Sequence, residues 1–273
     1  MNLPQLRILL RGDAAELSDL LRKPVNAALL APFILAIVAG CGLYGFAIGL
    51  WRAPLLGVFV AIKMPLLIFF TLLVNGFLNG LLAQILGSGL SFRQTLTACL
   101  MCFAIFALMV GSLSPIVIGM VLDSPPPASP QGDLWYRMLL LTHTAVIATA
   151  GIIANFKLLR LLQSFAGDAR TGRRTFVAWL AGNLFVGAQL SYVLRPFFGN
   201  PGLQVEFLRA HPFQGNFYEA VWHLAWGAIG AQASIFFTTL GRLLLFFIWL
   251  AVLLGILLAP FFILYKLVRW LRR

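Results

Sequence analysis

"APLLGVFVAIKMPLLIFFTLLVNGFLNGLLAQIL", residues 53–86, runs for 34 residues with one charged side chain, Lys63. A helix crossing the hydrocarbon of a bilayer needs roughly 20 mostly apolar residues. The block is therefore long enough to span, with about a dozen residues left over. Lys63-Met64-Pro65 interrupts it. Lysine facing lipid is costly, and proline removes a backbone donor. The block thus reads as an interfacial or re-entrant piece over 53–63 followed by a span over 64–86.

The rest of the chain has the same character. Hydrophobic residues make up 61% and charged ones 10%, where soluble domains carry about 25% charged. Further apolar blocks fall at 28–50, 94–121, 136–157, 175–194 and 242–265, giving an all-α polytopic transmembrane helix bundle of about six spans. "GSLSP" (111–115) predicts a kink in the third span, since Pro115 crowds the preceding turn. No hydrophilic stretch is long enough for a separate soluble core, so 25–273 reads as a single transmembrane helical domain. Residues 1–24 read as an amphipathic cytoplasmic segment. They mix both charge signs and lack the apolar core and small-residue site of a cleavable signal, so the first span is expected to direct insertion.

Lysine and arginine set the expected sidedness. With the N-terminus inside, Arg7, Arg11, Arg22, Lys23, Arg93, the five basic residues of 157–174 and the four at the C-terminus share one side. They are fourteen of the twenty. The other side holds Arg52, Lys63, Arg137, Arg195, Arg209 and Arg242, while the acidic residues divide equally. Both termini are expected inside, at a bacterial inner membrane. "FAGDARTGRR" (165–174) would lie on anionic inner-leaflet lipid, and the proline-rich "DSPPPASPQGD" (123–133) suits a stiff outer loop. The +12 net charge clusters at span ends, as topology demands, which argues against nucleic acid as a partner. In the N-terminal segment Leu17, Leu20 and Leu21 share a helical face, predicting a helix lying on the membrane surface. A partner-docking helix is the alternative.

Candidate chemistry concentrates in "RPFFGNPGLQVEFLRAHPFQGNFYEAVWHLAWG" (195–227), an outer loop expected to carry helical structure of its own between spans five and six. "FFGNPG" has the residues of a tight turn. Asn216 reads as the N-cap of a helix, with Glu219 three residues on in a capping-box position. Glu219 and His223 share a helix face. They could act as acid and base, or with His211 hold a metal; the plainer reading is a capping carboxylate and a surface histidine. Arg195, Glu206 and Arg209 complete this polar cluster with Lys63. Lys63 is expected to snorkel outward or to pair with Glu206 or Glu219. Asn75 and Asn79, one turn apart beside Gly76 and Gly80, form a helix-packing stripe. His143, Asn155, Asn183, Gln189 and Ser191 add polar atoms to spans four and five. Cys41, Cys99 and Cys102 fall within spans, where cysteine packs as a small hydrophobe. No metalloprotease, serine-hydrolase or phosphate-loop motif is present, and no carboxylate occupies a span centre. No cofactor is expected.

The segment "GLYGFAIGLWRAPLLGVFVAIKMPLLIFFTLLVNGFLNGLLAQILG" (42–87), followed by "SFRQTL" and "SLSPIVI", resembles the Yip-like polytopic membrane proteins and a group of uncharacterised bacterial relatives. "LYG", "K-x-P-L-L" and the serine-proline kink carry the likeness over half the chain, and "RPFFGNP" resembles the second half of the bacterial group. The resemblance implies a non-enzymatic role in membrane organisation or protein partnering, and transfers no site residue. Yip proteins have about five spans, fewer than the six read here. The leading expectation is therefore a scaffold or assembly partner in a membrane complex, bound to a membrane protein or to its own copies. A channel or facilitator with an outer vestibule formed by 195–227 is the second reading. An enzyme using Glu219, His223 and His211 is the third.

Overall fold

A computed structural model describes residues 3–222. The expected span at 242–265, and His223, lie outside the described residues. Within them the chain is helical: α1 (Leu3–Arg11), α2 (Ala14–Arg22), α3 (Ala27–Leu50), α4 (Pro54–Ile85), α5 (Phe92–Ser112), α6 (Ser114–Leu122), α7 (Gly132–Phe165) and α8 (Ala169–Val193). Counting α5 and α6 as one interrupted crossing, five helical segments are long and apolar enough to span a membrane. The protein is a membrane-embedded helical bundle.

Local chemistry starts and stops these helices. Asn26 caps α3 through Leu29 N–H at 2.9 Å. Ser91 and Gln94 close a reciprocal capping box at α5, satisfying donors a helix start leaves open. The kink expected at "GSLSP" is the break at Leu113 between α5 and α6, with Pro115 in the first turn of α6. The 53–63 reading is corrected: α4 runs unbroken from Pro54 to Ile85, carrying Pro65 inside it. Pro54 fits the first helical turn, where no donor is lost. Lys63 is 0% exposed, so no lipid-facing charge forces the chain to leave the helix. At 32 residues, α4 is about 48 Å long, more than the roughly 30 Å of hydrocarbon.

α3 packs against α4, α5 and α6, and α4 also meets α5 and α8. The α3–α4 seam is a backbone-to-backbone approach. A Cβ on Gly45 would lie 2.6 Å from the Val60 carbonyl oxygen, and one on Gly49 2.7 Å from that of Leu56. Only glycine fits there. On α4, Gly76 receives Leu96 and Gly80 receives Phe92 of α5. Leu73, Ile85, Leu141 and Leu184 are exposed on the outside of the bundle, as lipid-facing residues are.

The N-terminal helices depart from the surface-lying expectation. α2 packs on α7 and α5, and Leu17, Leu20 and Leu21 are buried, so protein covers the apolar face assigned to lipid. Asp13 caps α2, Gln94 donates to the Leu21 carbonyl at 3.2 Å, and Lys157 Nζ donates to that of Leu10 at 2.9 Å. At the opposite end, Trp51 Nε1 donates to the Pro125 carbonyl at 3.1 Å and stacks on Tyr136. The chain divides into two compact units, Met1–Gln214 and Gly215–Arg273.

Candidate functional site at the 195–214 segment

In the first unit, the segment after α8 folds back onto the end of the bundle where α4 begins. Asn200-Pro201-Gly202 makes the turn expected of "GNPG": Gly202 N–H donates to Asn200 Oδ1 at 2.8 Å and Leu203 N–H to the Asn200 carbonyl at 3.1 Å. Arg52, between α3 and α4, grips this turn. Its guanidinium donates to the carbonyls of Asn200 (3.4 Å), Pro201 (3.4 Å) and Leu203 (3.0 Å).

Lys63 lies beneath. Its Nζ donates to the Pro196 carbonyl at 2.8 Å and sits 5.0 Å from the Phe207 ring centroid and 6.0 Å from that of Phe197. Phe207 in turn packs edge-on against Phe59 at 5.4 Å. The snorkelling and Glu206 expectations for Lys63 are corrected. It does not snorkel to solvent, and Glu206, which is exposed, is not its partner. A backbone carbonyl and two π faces take the ammonium in their place, which a fold achieves by bringing a loop to the charge. Beside this, His143 of α7 is 1% exposed; its Nδ1 lies 3.1 Å from Tyr44 Oη, and its ring lies 5.6 Å from Phe198.

Arg195 and Arg209 share one aromatic ring. Their guanidinium carbons sit 3.7 Å and 4.4 Å from the Tyr192 ring centroid. Arg195 Nε donates to the Tyr192 carbonyl at 3.1 Å. Arg209 donates to the carbonyls of Pro212 (2.8 Å) and Gln214 (2.6 Å). Arg52 and Lys63 therefore fasten this segment to the bundle through its backbone carbonyls, while Arg195 and Arg209 bond carbonyls close by in the chain. His211 is exposed. Among the described residues no group of three or more His, Cys, Asp or Glu is placed to hold a metal ion.

In the second unit, 217–222 are helical. Asn216 Oδ1 accepts from Glu219 N–H at 2.8 Å, and Asn216 Nδ2 donates to Glu219 Oε2 at 3.3 Å. This is the expected N-cap, with the glutamate returning to the cap's side chain.

Asn75 and Asn79 face α8. Asn75 Nδ2 donates to the Gly182 carbonyl at 3.2 Å, and Asn79 Nδ2 to Asn183 Oδ1 at 3.4 Å and Cys99 Sγ at 3.6 Å. Cys41, Cys99 and Cys102 are free and buried. The sequence reading left Tyr44, Arg52 and Tyr192 out of the cluster. An aromatic or arginine near a span end reads as an interfacial anchor; the fold turns it into a contact, with the returning segment for Arg52 and Tyr192 and with His143 of α7 for Tyr44. Compared with models of known families, with curated proteins and with solved structures, the chain finds no match.

Proposed function

We propose that the chain is a non-enzymatic, multi-pass protein of the bacterial inner membrane, with both termini inside, serving as scaffold or assembly partner in a membrane complex. One observation carries the reading: Lys63, the basic group any vestibule would present, is 0% exposed and occupied by the Pro196 carbonyl. On this reading the 195–214 segment, held by Arg52 and Lys63, is a structural cap on that end of the bundle. His143 with Tyr44, and the Asn79 side-chain N–H with Asn183, likewise make interhelix ties. The broad apolar exterior is compatible with lipid or a membrane-protein partner, and the resemblance to Yip-like proteins implies the same class of role. Purification in mild detergent should recover a stoichiometric partner or a defined homo-oligomer, and proteoliposomes should be inert to ions and small solutes. Saturable flux would end the scaffold reading.

The second reading is an anion-favouring channel or facilitator gated by the 195–214 segment. It is supported by the four cations there, all held by carbonyls. Movement of the segment would bare a positively charged entrance. Chloride or phosphate flux that rises when the turn at Asn200 is loosened would select it.

A further inference from the structure

Four buried polar atoms with no protein partner lie on α4, α5 and α8: Asn75 Oδ1, Asn79 Oδ1, Thr95 Oγ1 and Trp179 Nε1. Each side chain is at most 1% exposed. Helix register puts them on neighbouring faces, with α5 and α8 each packed on α4 and on α7. Asn79 touches Cys99 of α5 and Asn183 of α8. Thr95 is one turn from Cys99, on the face whose Phe92 and Leu96 meet Gly80 and Gly76 of α4. Trp179 is one turn from Gly182 and Asn183, and a Cβ built on Gly182 would lie 3.5 Å from Asn75 Oδ1 and 3.9 Å from Asn79 Oδ1. Other span hydroxyls, such as Thr71 and Thr97, donate to the carbonyl four residues back. Thr95 does not.

Buried polar atoms in a bundle surrounded by lipid find hydrogen-bond partners. The atoms here comprise two acceptors, one donor and one hydroxyl that can be either. The indole N–H disfavours a cation, and the two amide oxygens disfavour an anion. We propose that α4, α5, α7 and α8 enclose a polar cell that binds a neutral guest able to donate and accept hydrogen bonds, either water or a small uncharged amide- or alcohol-like solute. The cell stands independently of the scaffold reading, since an inert scaffold and a facilitator can both contain it.

The test uses the full chain in nanodiscs. Thr95→Val keeps the side chain's shape and removes the hydroxyl. A hydroxyl bonded to a guest is lost at a cost, whereas removing one from a dry, unpaired site is neutral or stabilising. The thermal midpoint of Thr95→Val is expected to fall by about 2–4 °C; an unchanged or raised midpoint overturns the proposal. Gly182→Ala places a methyl at ordinary contact distance from both amide oxygens. It is expected to fall too, despite alanine's better helix propensity, because the methyl takes the guest's place; a rise overturns the proposal. With both midpoints lowered, titration with acetamide distinguishes the guests. A concentration-dependent rise in wild type but not in Thr95→Val identifies a solute, and no rise identifies water.

Discussion

At the residue scale, Lys63 governs the end of the bundle. Burial of an ammonium costs several kcal/mol, and the Pro196 carbonyl with the Phe207 and Phe197 faces supplies the offset. Lys63→Met keeps the stem's volume, removes the charge and leaves that carbonyl without its donor. Because the desolvation cost disappears with the charge, the effect should be local rather than global. Loss of a hydrogen bond from a charged donor, about 1.5 kcal/mol, corresponds to about a tenfold larger open population of the segment. Trypsin cleavage after Arg209 should accelerate by about that factor, with cleavage at Arg173 and Arg174 unchanged. Equal acceleration at both places would mean general unfolding and would refute the assignment. Lys63 itself was legible as a candidate because a lone charge in an apolar run is conspicuous. Its partner was not, since the Pro196 carbonyl lies 133 residues away and carbonyls carry no sequence signature.

At the element scale, the α3–α4 seam and the start of α8 make separate claims. Gly45→Leu would drive a side chain into the Val60 backbone, where a flexible neighbour cannot yield. Overpacking of this kind costs about 1–3 kcal/mol or more, so monodisperse protein on detergent gel filtration should fall sharply. Gly187→Ala, with nothing within 4 Å of its Cβ, should leave the profile intact. Asp168 caps α8. The backbone N–H of Arg170, the backbone N–H of Thr171 and the Thr171 hydroxyl, in that order, hold its carboxyl below the usual aspartate range. A lowered folded-state value means that this contribution is fully present above the unfolded aspartate's pKa. It is lost as pH falls through the folded one. Wild type should therefore exceed Asp168→Asn in thermal midpoint at neutral pH, and the gap should close on acidification. A gap independent of pH would show that the charge is irrelevant to the cap.

At the scale of the whole molecule, the prediction concerns sidedness. Contacts place 51–53, 123–131 and 195–214 at one end of the bundle, and the N-terminal helices at the other. The proposed topology puts the latter end in the cytoplasm, because lysine and arginine crowd it. Since all three native cysteines are buried, single cysteines at exposed Leu203 and at Thr171 can report it. A membrane-impermeant maleimide on intact spheroplasts should label Leu203→Cys and spare Thr171→Cys. The reverse pattern would invert the topology and the proposed outer position of the 195–214 segment.

The sequence by itself determined the helical class, the apolar character of the five long helices, the break before Pro115, the turn at Asn200 and the cap at Asn216. These depend on residues within one or two turns of each other. The tertiary structure decided the rest. It made α4 continuous, covered Leu17, Leu20 and Leu21 with α5 and α7, chose the partner of Lys63, joined Tyr44 to His143 and buried four polar atoms of α4, α5 and α8 without a protein partner. The physical reason is distance along the chain. Whether a buried charge or hydroxyl is tolerated depends on what the fold sets against it, and that group lies in another helix or in a returning loop.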